Sequence, residues 1–454
     1  MRSSPDLQLA TAAVVDDGNA RYPAQSGRGP SDHGPAGDAS SGKTVSDPGP
    51  SDPGMGFYPF VALIAAIMAC NALGIDSMLA ALPAIGHSLG IASENDRQWI
   101  IAIYVFGFGA AQLVYGPLAD RYGRRPILIV SMALFALLSI VAGLATSFTA
   151  MLVARLLEGI AGAAGRVLVV SIVRDCYQGR QMARVMSLSF IVFLAVPVFA
   201  PSIGQLILLF ADWRFIFFFL AAFAGAVALV GGLRLKETLH PAYRRQISFG
   251  GVTSAVRETL SERNAVGYTI ASTLVFGSLM GFINSVQQVF TDIFHEPQLF
   301  PVIFACIAGA MGLAAFLNSH LVERLGTRFI SHWALIGFIA CASLHVAIAV
   351  AGRETLVTLS IIQCLTMFCF GLMGSNFGSM AMEAVGDIAG TASSVQGFIS
   401  TCGGALIGIV IGQAFDGTTL PLALGFLVVG IAALVVVVVT ERGRLFQAHQ
   451  VATA

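Results

Sequence analysis

The sequence predicts an all-α membrane protein with twelve transmembrane helices, arranged as two pseudo-symmetric six-helix bundles. Only 11% of the 454 residues are charged and 56% are hydrophobic, whereas a soluble domain carries about 25% charged residues. From Phe57 onward, apolar runs follow one another, each of about 20 residues and therefore long enough to cross the ~30 Å hydrocarbon core. The equal number of basic and acidic residues, 25 of each, argues against a nucleic-acid-binding protein.

The longest polar break separates six predicted spans from another six. The spans cover residues 57–84, 99–118, 126–146, 149–173, 183–210, 213–235, 265–290, 300–322, 330–350, 355–380, 390–415 and 419–440. We expect a disordered cytoplasmic tail at 1–54, an N-terminal bundle at 55–235, a cytoplasmic linker at 236–264, a C-terminal bundle at 265–440 and a second cytoplasmic tail at 441–454. The first tail is rich in Gly, Pro, Ser and Asp, and it cannot bury enough apolar surface to offset its ordering entropy.

Basic residues are concentrated on one side of the predicted spans. Arg and Lys cluster between spans two and three, four and five, six and seven, and eight and nine, while the loops on the other side hold only Arg97, Arg214 and Arg353. Cytoplasmic loops carry the excess of Lys and Arg. The pattern therefore predicts a multi-pass protein of the cytoplasmic (inner) membrane with both termini in the cytoplasm.

The two halves are related in sequence. The decapeptide from Gly116 to Arg125 reads GPLADRYGRR, and an offset of 203 residues leads to SHLVERLGTR. The matching pairs are Leu118 with Leu321, Asp120 with Glu323, Arg121 with Arg324, Gly123 with Gly326 and Arg125 with Arg328. Each copy follows the second span of its half. A duplicated half is typical of a secondary transporter in which two bundles rock around a central site.

The segment from Gly116 to Arg125 resembles the loop motif G-x-L-a-D-R-x-G-R-R of the major facilitator superfamily. We expect Gly116 to let two helices approach closely. Asp120 would face the positive N-terminal end of a neighbouring helix or pair with an Arg, and so latch the cytoplasmic side shut. The remaining motif residues are Arg121, Gly123, Arg124 and Arg125. The alternative interpretation is a topology signal alone.

The fourth span carries Arg155 and Glu158 in a stretch that resembles the second motif of this superfamily, R-x-x-Q-G-x-G, with Glu158 in place of Gln. An Arg inside a membrane span is costly, and its default interpretation is a functional site with a partner. Residues three apart share a helix face. A self-neutralising Arg155–Glu158 pair with a structural role is therefore the alternative.

The first span contains one acidic residue, Asp76, in a stretch that reads IDSMLAALP. It resembles the I-D-x-x-L-P-A-L-P stretch of the Bcr/CflA (bicyclomycin/chloramphenicol resistance) branch, whose members are drug:proton antiporters; Ala80 replaces the first Pro. Burial favours the neutral form of a carboxyl group and a nearby Arg favours the ionised form. These opposed effects suit a proton carrier. The alternative is a hydrogen-bonding role between helices, and the choice between Asp76 and Glu158 as main proton site stays open.

The fifth span contains Pro197, Pro201 and Gly204, which resemble the antiporter motif a-P-x-x-a-P-x-x-G of the same branch. Two prolines four residues apart remove backbone hydrogen bonds and kink the helix, and a following Gly allows close packing. An ordinary transmembrane kink is the alternative.

These features together predict proton-coupled efflux (antiport) of small, largely apolar compounds such as drugs. In this hypothesis Asp76 binds the proton, Glu158 helps or competes, and Arg155 couples their charge to substrate occupancy. We expect a monomer whose partners are small molecules, protons and the lipid bilayer, and which uses a proton gradient and no cofactor or metal. A proton-coupled importer of a small metabolite shares this fold and remains the alternative.

Other classes of protein have weaker support in the sequence. Residues 37–44 match the P-loop pattern G-x-x-x-x-G-K-T, but that motif works only between a strand and a helix, and here it lies in the Gly- and Pro-rich tail. His295 and Glu296 lack the second His of an HExxH motif, so we expect no enzyme. A membrane sensor would need a sizeable soluble output domain, which neither the tail nor the central linker offers.

Overall fold

A computed structural model describes residues 51–240, 244, 256–383, 385 and 389–446. Among these residues, twelve helices are long and apolar enough to cross a membrane, which confirms the predicted fold class. The helices of the first half are α1 (Phe57–Asp76), α2 (Trp99–Tyr122), α3 (Arg124–Gly143), α4 (Phe148–Cys176), α5 (Gly179–Phe210) and α6 (Arg214–Arg234). Those of the second half are α7 (Arg263–Gln288), α8 (Phe300–Leu325), α9 (Thr327–Val350), α10 (Leu356–Met382), α11 (Ala389–Gln413) and α12 (Leu420–Thr440).

Helices dominate because a chain in hydrocarbon must satisfy its backbone groups internally, and local signals set several of their ends. The Ser147 hydroxyl accepts a hydrogen bond from the Ala150 amide at 3.2 Å and so caps α4. Thr355 and Thr358 form a reciprocal capping box at the start of α10. These side chains satisfy amide groups that have no partner within the helix.

The two halves repeat the same sharp connection after their second helix. Gly123 lies between α2 and α3 with φ +100°, and Gly326 lies between α8 and α9 with φ +81°. Only glycine adopts such angles without strain. The end of the molecule at which α2 and α8 finish, at Tyr122 and Leu325, is called the motif end below, and the other end is called the opposite end.

The first span departs from a single continuous helix. The sequence predicts one span over 57–84, but α1 ends at Asp76, and the chain continues through a short 3₁₀ turn (Leu79–Ala81) and a second helix (Leu82–Ser88). The Ser77 hydroxyl donates to the Leu73 carbonyl at 2.6 Å, so this side chain bonds the backbone where the regular helix stops. The break places Asp76 at a helix end within the span.

The two halves meet mainly through α2 against α11 and α5 against α8. At the opposite end, four amide side chains close the contact, and we call Asn95, Gln98, Gln288 and Gln413 the amide seal. Gln98 donates to Gln288 Oε1 at 2.5 Å and to the Gly412 carbonyl at 3.0 Å. Gln288 in turn donates to Asn95 Oδ1 at 2.9 Å, and Gln413 donates to the Asn95 carbonyl at 2.7 Å.

Further contacts between the halves extend from the amide seal toward the middle of α2. Gln112 donates to the Thr401 hydroxyl at 3.1 Å, and a Cβ on Gly397 would lie 2.2 Å from Gln112 Oε1. The bonds described here thus hold the halves together from the amide seal to Gln112.

Most of the first predicted tail, including residues 37–44 with the P-loop pattern, and about half of the linker lie outside the described residues. The residues Ser51–Gly54, which the sequence places in the disordered tail, are described. Ser51 donates its backbone amide to the Asp175 carbonyl and its hydroxyl to the Thr238 carbonyl, both at 2.8 Å. These contacts hold the segment before α1 against the motif end of the first half. The ordered part of the chain therefore begins before residue 55, where the sequence analysis placed the start of the N-terminal bundle.

Candidate functional site

An ion pair lies completely buried inside the first half. Arg155 and Glu158 both have no exposed surface, and Arg155 Nη1 lies 2.7 Å from Glu158 Oε2. The other oxygen of Glu158 accepts a hydrogen bond from the Ser139 hydroxyl at 2.6 Å. The pair that the sequence analysis treated as an alternative is therefore formed, and both oxygens of the carboxylate have partners.

The rest of the Arg155 guanidinium is bound by backbone carbonyls and by a ring. Nη2 donates to the Gly74 carbonyl at 2.8 Å and Nε donates to the Ile100 carbonyl at 3.3 Å. The guanidinium carbon lies 4.2 Å from the centre of the Tyr104 ring, within the range of a cation–π interaction. Tyr104 in turn donates to Asn71 Oδ1 at 3.1 Å. Arg155 thus joins α1, α2 and α4.

Two glycines let α4 lie close enough to α2 for this arrangement. A Cβ on Gly159 would lie 2.0 Å from the Tyr104 carbonyl oxygen, and a Cβ on Gly107 would lie 2.4 Å from the Leu156 carbonyl oxygen. Both distances are far below van der Waals contact. The glycine that follows Glu158 is therefore part of the packing that forms the site.

Asp76 lies beside this cluster without joining it. Its side chain is 5% exposed, and among the described residues its carboxyl group has no hydrogen-bond or ion-pair partner. Arg155 reaches the carbonyl of Gly74, two residues before Asp76, and not the Asp76 carboxyl group. The structure therefore separates a neutralised pair from an unpaired carboxyl group at similar depth.

The predicted antiporter motif on α5 packs against the chain next to Asp76. A Cβ on Gly204 would lie 1.8 Å from the carbonyl oxygen of Ser77. Pro197 and Pro201 both lie inside α5, which continues through them as one helix over Gly179–Phe210. The close packing expected of Gly204 is thus present, and it links α5 to the break after α1.

At the motif end, Arg124 forms the centre of a polar network within the first half. It forms ion pairs with Asp175 at the end of α4 and with Asp120 at 3.4 Å, and its backbone amide donates to Glu237 Oε1 at 2.9 Å. Arg125 donates to the Gly232 carbonyl at 2.6 Å. These bonds join α2, α3, α4 and the segment after α6.

The other motif residues contribute less in this conformation. Asp120 is 42% exposed and its ion pair is with Arg124 of its own motif, while Arg121 is exposed with its guanidinium 5.2 Å from the centre of the Tyr122 ring. A Cβ on Gly116 would meet no atom within 4 Å. In this conformation no described helix approaches Gly116 closely, so the close approach expected of Gly116 is not present here.

The second half contains a corresponding network around Arg328. Its guanidinium lies 2.8 Å from Glu383, which follows α10, and 2.8 Å from Glu441, which follows α12. Tyr268 also donates to Glu441, at 2.5 Å, and lies 3.3 Å from His332 Nε2. The sequence repeat identified Arg328, but its partners come from helices that are distant in sequence.

The sequence analysis missed a third charged residue of α4. Arg166 lies 11 residues after Arg155, about 16 Å further toward the motif end at 1.5 Å per residue. Its side chain is exposed. The signal was available, because an ionisable residue in the middle of a span is a candidate functional residue by default.

Two groups of related helices, a polar seal at one end and a charged cluster inside one half define a membrane transporter fold. The sequence matches the family model described as Major Facilitator Superfamily over residues 64–412. The chain belongs to this family, whose members are transporters and generally not enzymes. In the described part of the chain, no cluster of three or more His, Cys, Asp or Glu side chains is placed to hold a metal ion.

Curated relatives cover most of the chain. An uncharacterized MFS-type transporter, YdgK, of Bacillus subtilis (strain 168) is 31% identical over 358 residues, 77% of this chain and 87% of the relative. The multidrug resistance protein MdtL of Escherichia fergusonii is 29% identical over 351 residues, 76% of this chain and 86% of the relative. MdtL of Klebsiella pneumoniae (strain 342) is 27% identical over 387 residues, 83% of this chain and 95% of the relative.

Proposed function

We propose that this protein exports small, largely apolar organic compounds of the drug type across the cytoplasmic membrane in exchange for protons, as a member of the Bcr/CflA branch. The observation that carries the proposal is the carboxyl group of Asp76, which is 5% exposed and has no ion-pair or hydrogen-bond partner among the described residues. It lies beside a cluster whose charges already balance. The names of the MdtL relatives, multidrug resistance proteins, support the substrate class.

The different surroundings of the two carboxyl groups support different roles for them. Glu158 is paired with Arg155 and hydrogen-bonded to Ser139, so in this proposal it holds the guanidinium in place. An ionised Asp76 has no such compensation, and an unpaired charge away from water is costly. Asp76 therefore carries the proton, and binding and release of that proton change the charge of the site.

The contacts around Asp76 connect its charge to helix movement. The Gly74 carbonyl binds Arg155 on α4, and the Ser77 carbonyl lies against Gly204 on α5. The break after Asp76 thus lies between two fixed contacts. A change in the charge of Asp76 acts on α4 and α5 together, and α5 is one of the helices that contact the second half.

The excess of basic residues supports an orientation with the motif end in the cytoplasm. In this orientation the amide seal would close the outer side, and the conformation described here would be the inward-facing one. Substrate enters from the cytoplasm as the proton leaves, and a proton from outside restores the inward-facing state. One charge crossing ~100 mV provides about 2.3 kcal/mol, or roughly a fiftyfold gradient.

Everted membrane vesicles that contain the wild type or Asp76→Asn test this function. We expect a drug to release protons from wild-type vesicles, as only an antiporter would do, and we expect the variant to reach the membrane but lose pH-driven export. Glu296→Gln, which changes an exposed loop carboxyl group, serves as the matched control. Undiminished pH-driven export by Asp76→Asn would remove Asp76 from the mechanism, and proton uptake together with substrate would indicate an importer.

A further inference from the structure

One face of α4 carries exposed side chains near the motif end. Arg166, Val170 and Arg174 are exposed and follow one another at intervals of four residues, so they lie on the same side of the helix. Leu168 and Ile172, which lie on another side of the same helix, are completely buried. The exposed face therefore has a cation at each end and an apolar side chain between them.

A guanidinium exposed to hydrocarbon in the middle of a span is strongly unfavourable, and Arg166 lies in the middle of α4 with accessible surface. This face is therefore expected to border the space between the halves and not the lipid. That space would lie on the motif-end side of Gln112, whose side chain bonds Thr401 of the second half.

The charge of Arg166 has no partner of opposite sign among the described residues. Arg155, 11 residues earlier on the same helix, has Glu158, and Arg124 at the motif end has Asp175 and Asp120. Arg166 forms no ion pair or hydrogen bond within the described part of the chain. A planar guanidinium with free donors in a confined cleft is well suited to bind a carboxylate through two parallel hydrogen bonds.

We propose that Arg166 binds the anionic group of the transported compound, so that the preferred substrates are small amphipathic organic acids. This inference rests on the proposed transport function and narrows its substrate class. Val170, one turn further on, provides apolar surface for the body of the ligand, and Arg174 attracts anions to the motif end of the cleft.

The anion site and the proton site are compatible because they lie apart. About 16 Å along α4 separates Arg166 from Arg155, which is more than the ~8 Å screening length at physiological salt. A bound anion therefore affects the proton on Asp76 only weakly through a water-filled cleft. A membrane potential that is negative inside also drives an anion outward, so it favours export of both the charge and the compound.

Binding of a matched acid and ester to the purified full-length protein in neutral detergent tests the proposal. The probes are biphenyl-4-carboxylate and its methyl ester, measured by calorimetry. We expect wild type to bind the acid at least about tenfold more tightly than the ester, and Arg166→Gln to weaken acid binding by about tenfold without changing ester binding. Arg166→Lys keeps the charge and should lose only part of the affinity, while Arg353→Gln, at an exposed loop, should match the wild type.

Three results would overturn the proposal. The first is that wild type does not bind the acid more tightly than the ester. The second is an unchanged acid preference in Arg166→Gln. The third is displacement of the acid by phosphatidylglycerol in mixed micelles, which would make the site a lipid headgroup site. If Arg166→Gln does not fold, loss of acid binding when salt is raised about tenfold in wild type decides the same question. If the proposed anion site is wrong, pH-driven export should still be present. If the proposed transport function is wrong, the vesicles with Asp76→Asn would show it.

Discussion

Arg155 on α4 donates a hydrogen bond of 2.8 Å to the main-chain carbonyl of Gly74 on α1. A side chain thus binds the backbone of the first span two residues before Asp76, and the same guanidinium is neutralised by Glu158. Arg155 acts on the proposed proton site through the position of the chain and not through a direct ion pair. The ion pair of Arg155 with Glu158 and the carboxyl group of Asp76 can therefore be changed independently by mutation.

Glu158→Gln should destabilise the protein strongly, because it leaves the buried charge of Arg155 uncompensated, at a cost of about 3–5 kcal/mol. Replacing both residues, as Arg155→Met with Glu158→Met, should restore most of the melting temperature, but not transport, because the bond to Gly74 is lost. Ser139→Ala removes one hydrogen bond to Glu158 and should cost only about 1–3 kcal/mol. Thermal unfolding in detergent measures all three, and equal stability of the single and double variants would contradict this account.

Gly204→Ala should impair both folding and transport. The added Cβ would lie 1.8 Å from the Ser77 carbonyl oxygen, so α5 would have to move away from the break after Asp76. Overpacking of this kind costs about 1–3 kcal/mol or more. Gly231→Ala on α6, where a Cβ would meet no atom within 4 Å, is the matched control and should leave the melting temperature and transport unchanged. A melting temperature of Gly204→Ala equal to that of the control would show that the packing is not required.

Asn95→Ala should favour separation of the halves at the opposite end. It removes the side-chain bonds of Asn95 within the amide seal, including those to Gln288 and to the Gln413 carbonyl. At about 0.5–1.5 kcal/mol for each bond, the population open at this end should rise about tenfold. Spin labels at Ala92→Cys and Ala414→Cys, after replacement of the seven native cysteines, would report a longer distance.

A matched control for the amide seal lies inside the second half. Asn318 and Asn376 exchange two side-chain hydrogen bonds of 2.9 Å between α8 and α10. Asn318→Ala should therefore lower the melting temperature without lengthening the distance between the labels. An Asn95→Ala protein with the wild-type distance distribution would show that the amide seal does not hold this end closed.

Glu441 should make stability depend on acidic pH. Burial alone would raise the pKa of Glu441, but the hydrogen bonds from Tyr268 and Arg328 outweigh burial and hold its pKa below the ordinary value of 4.5. Since ionisation is favoured in the folded state, this stabilisation is present at neutral pH and is lost as pH falls through the lowered pKa. Melting temperatures of wild type and Glu441→Gln should differ at pH 7 and converge below about pH 4.5. Glu323→Gln, at an exposed carboxyl group, should match wild type at every pH, and a constant difference for Glu441→Gln would contradict the assignment.

The sequence determined the features that depend on composition and local pattern. The length of the apolar runs predicted all twelve helices, because hydrocarbon leaves the backbone few other structures. The repeat predicted the equivalence of the two halves, which the positive φ angles of Gly123 and Gly326 confirm. Arg155 and Glu158 were found because an Arg inside a span is costly and their stretch resembles a superfamily motif, and their spacing indicated that they could pair.

Only the tertiary structure decided which charges have partners. Arg155 is neutralised by Glu158, whereas Asp76 and Arg166 have no partner of opposite charge among the described residues. Arg328 is bound by residues that follow α10 and α12. Arg166 could have been found as an ionisable residue in the middle of a span, but its lack of a partner among the described residues could not. The empty surroundings of Gly116 likewise depend on packing between helices that no local pattern encodes. The physical reason is that hydrophobicity fixes which segments enter the membrane, whereas the surroundings of each buried charge depend on helices that come together from distant parts of the chain.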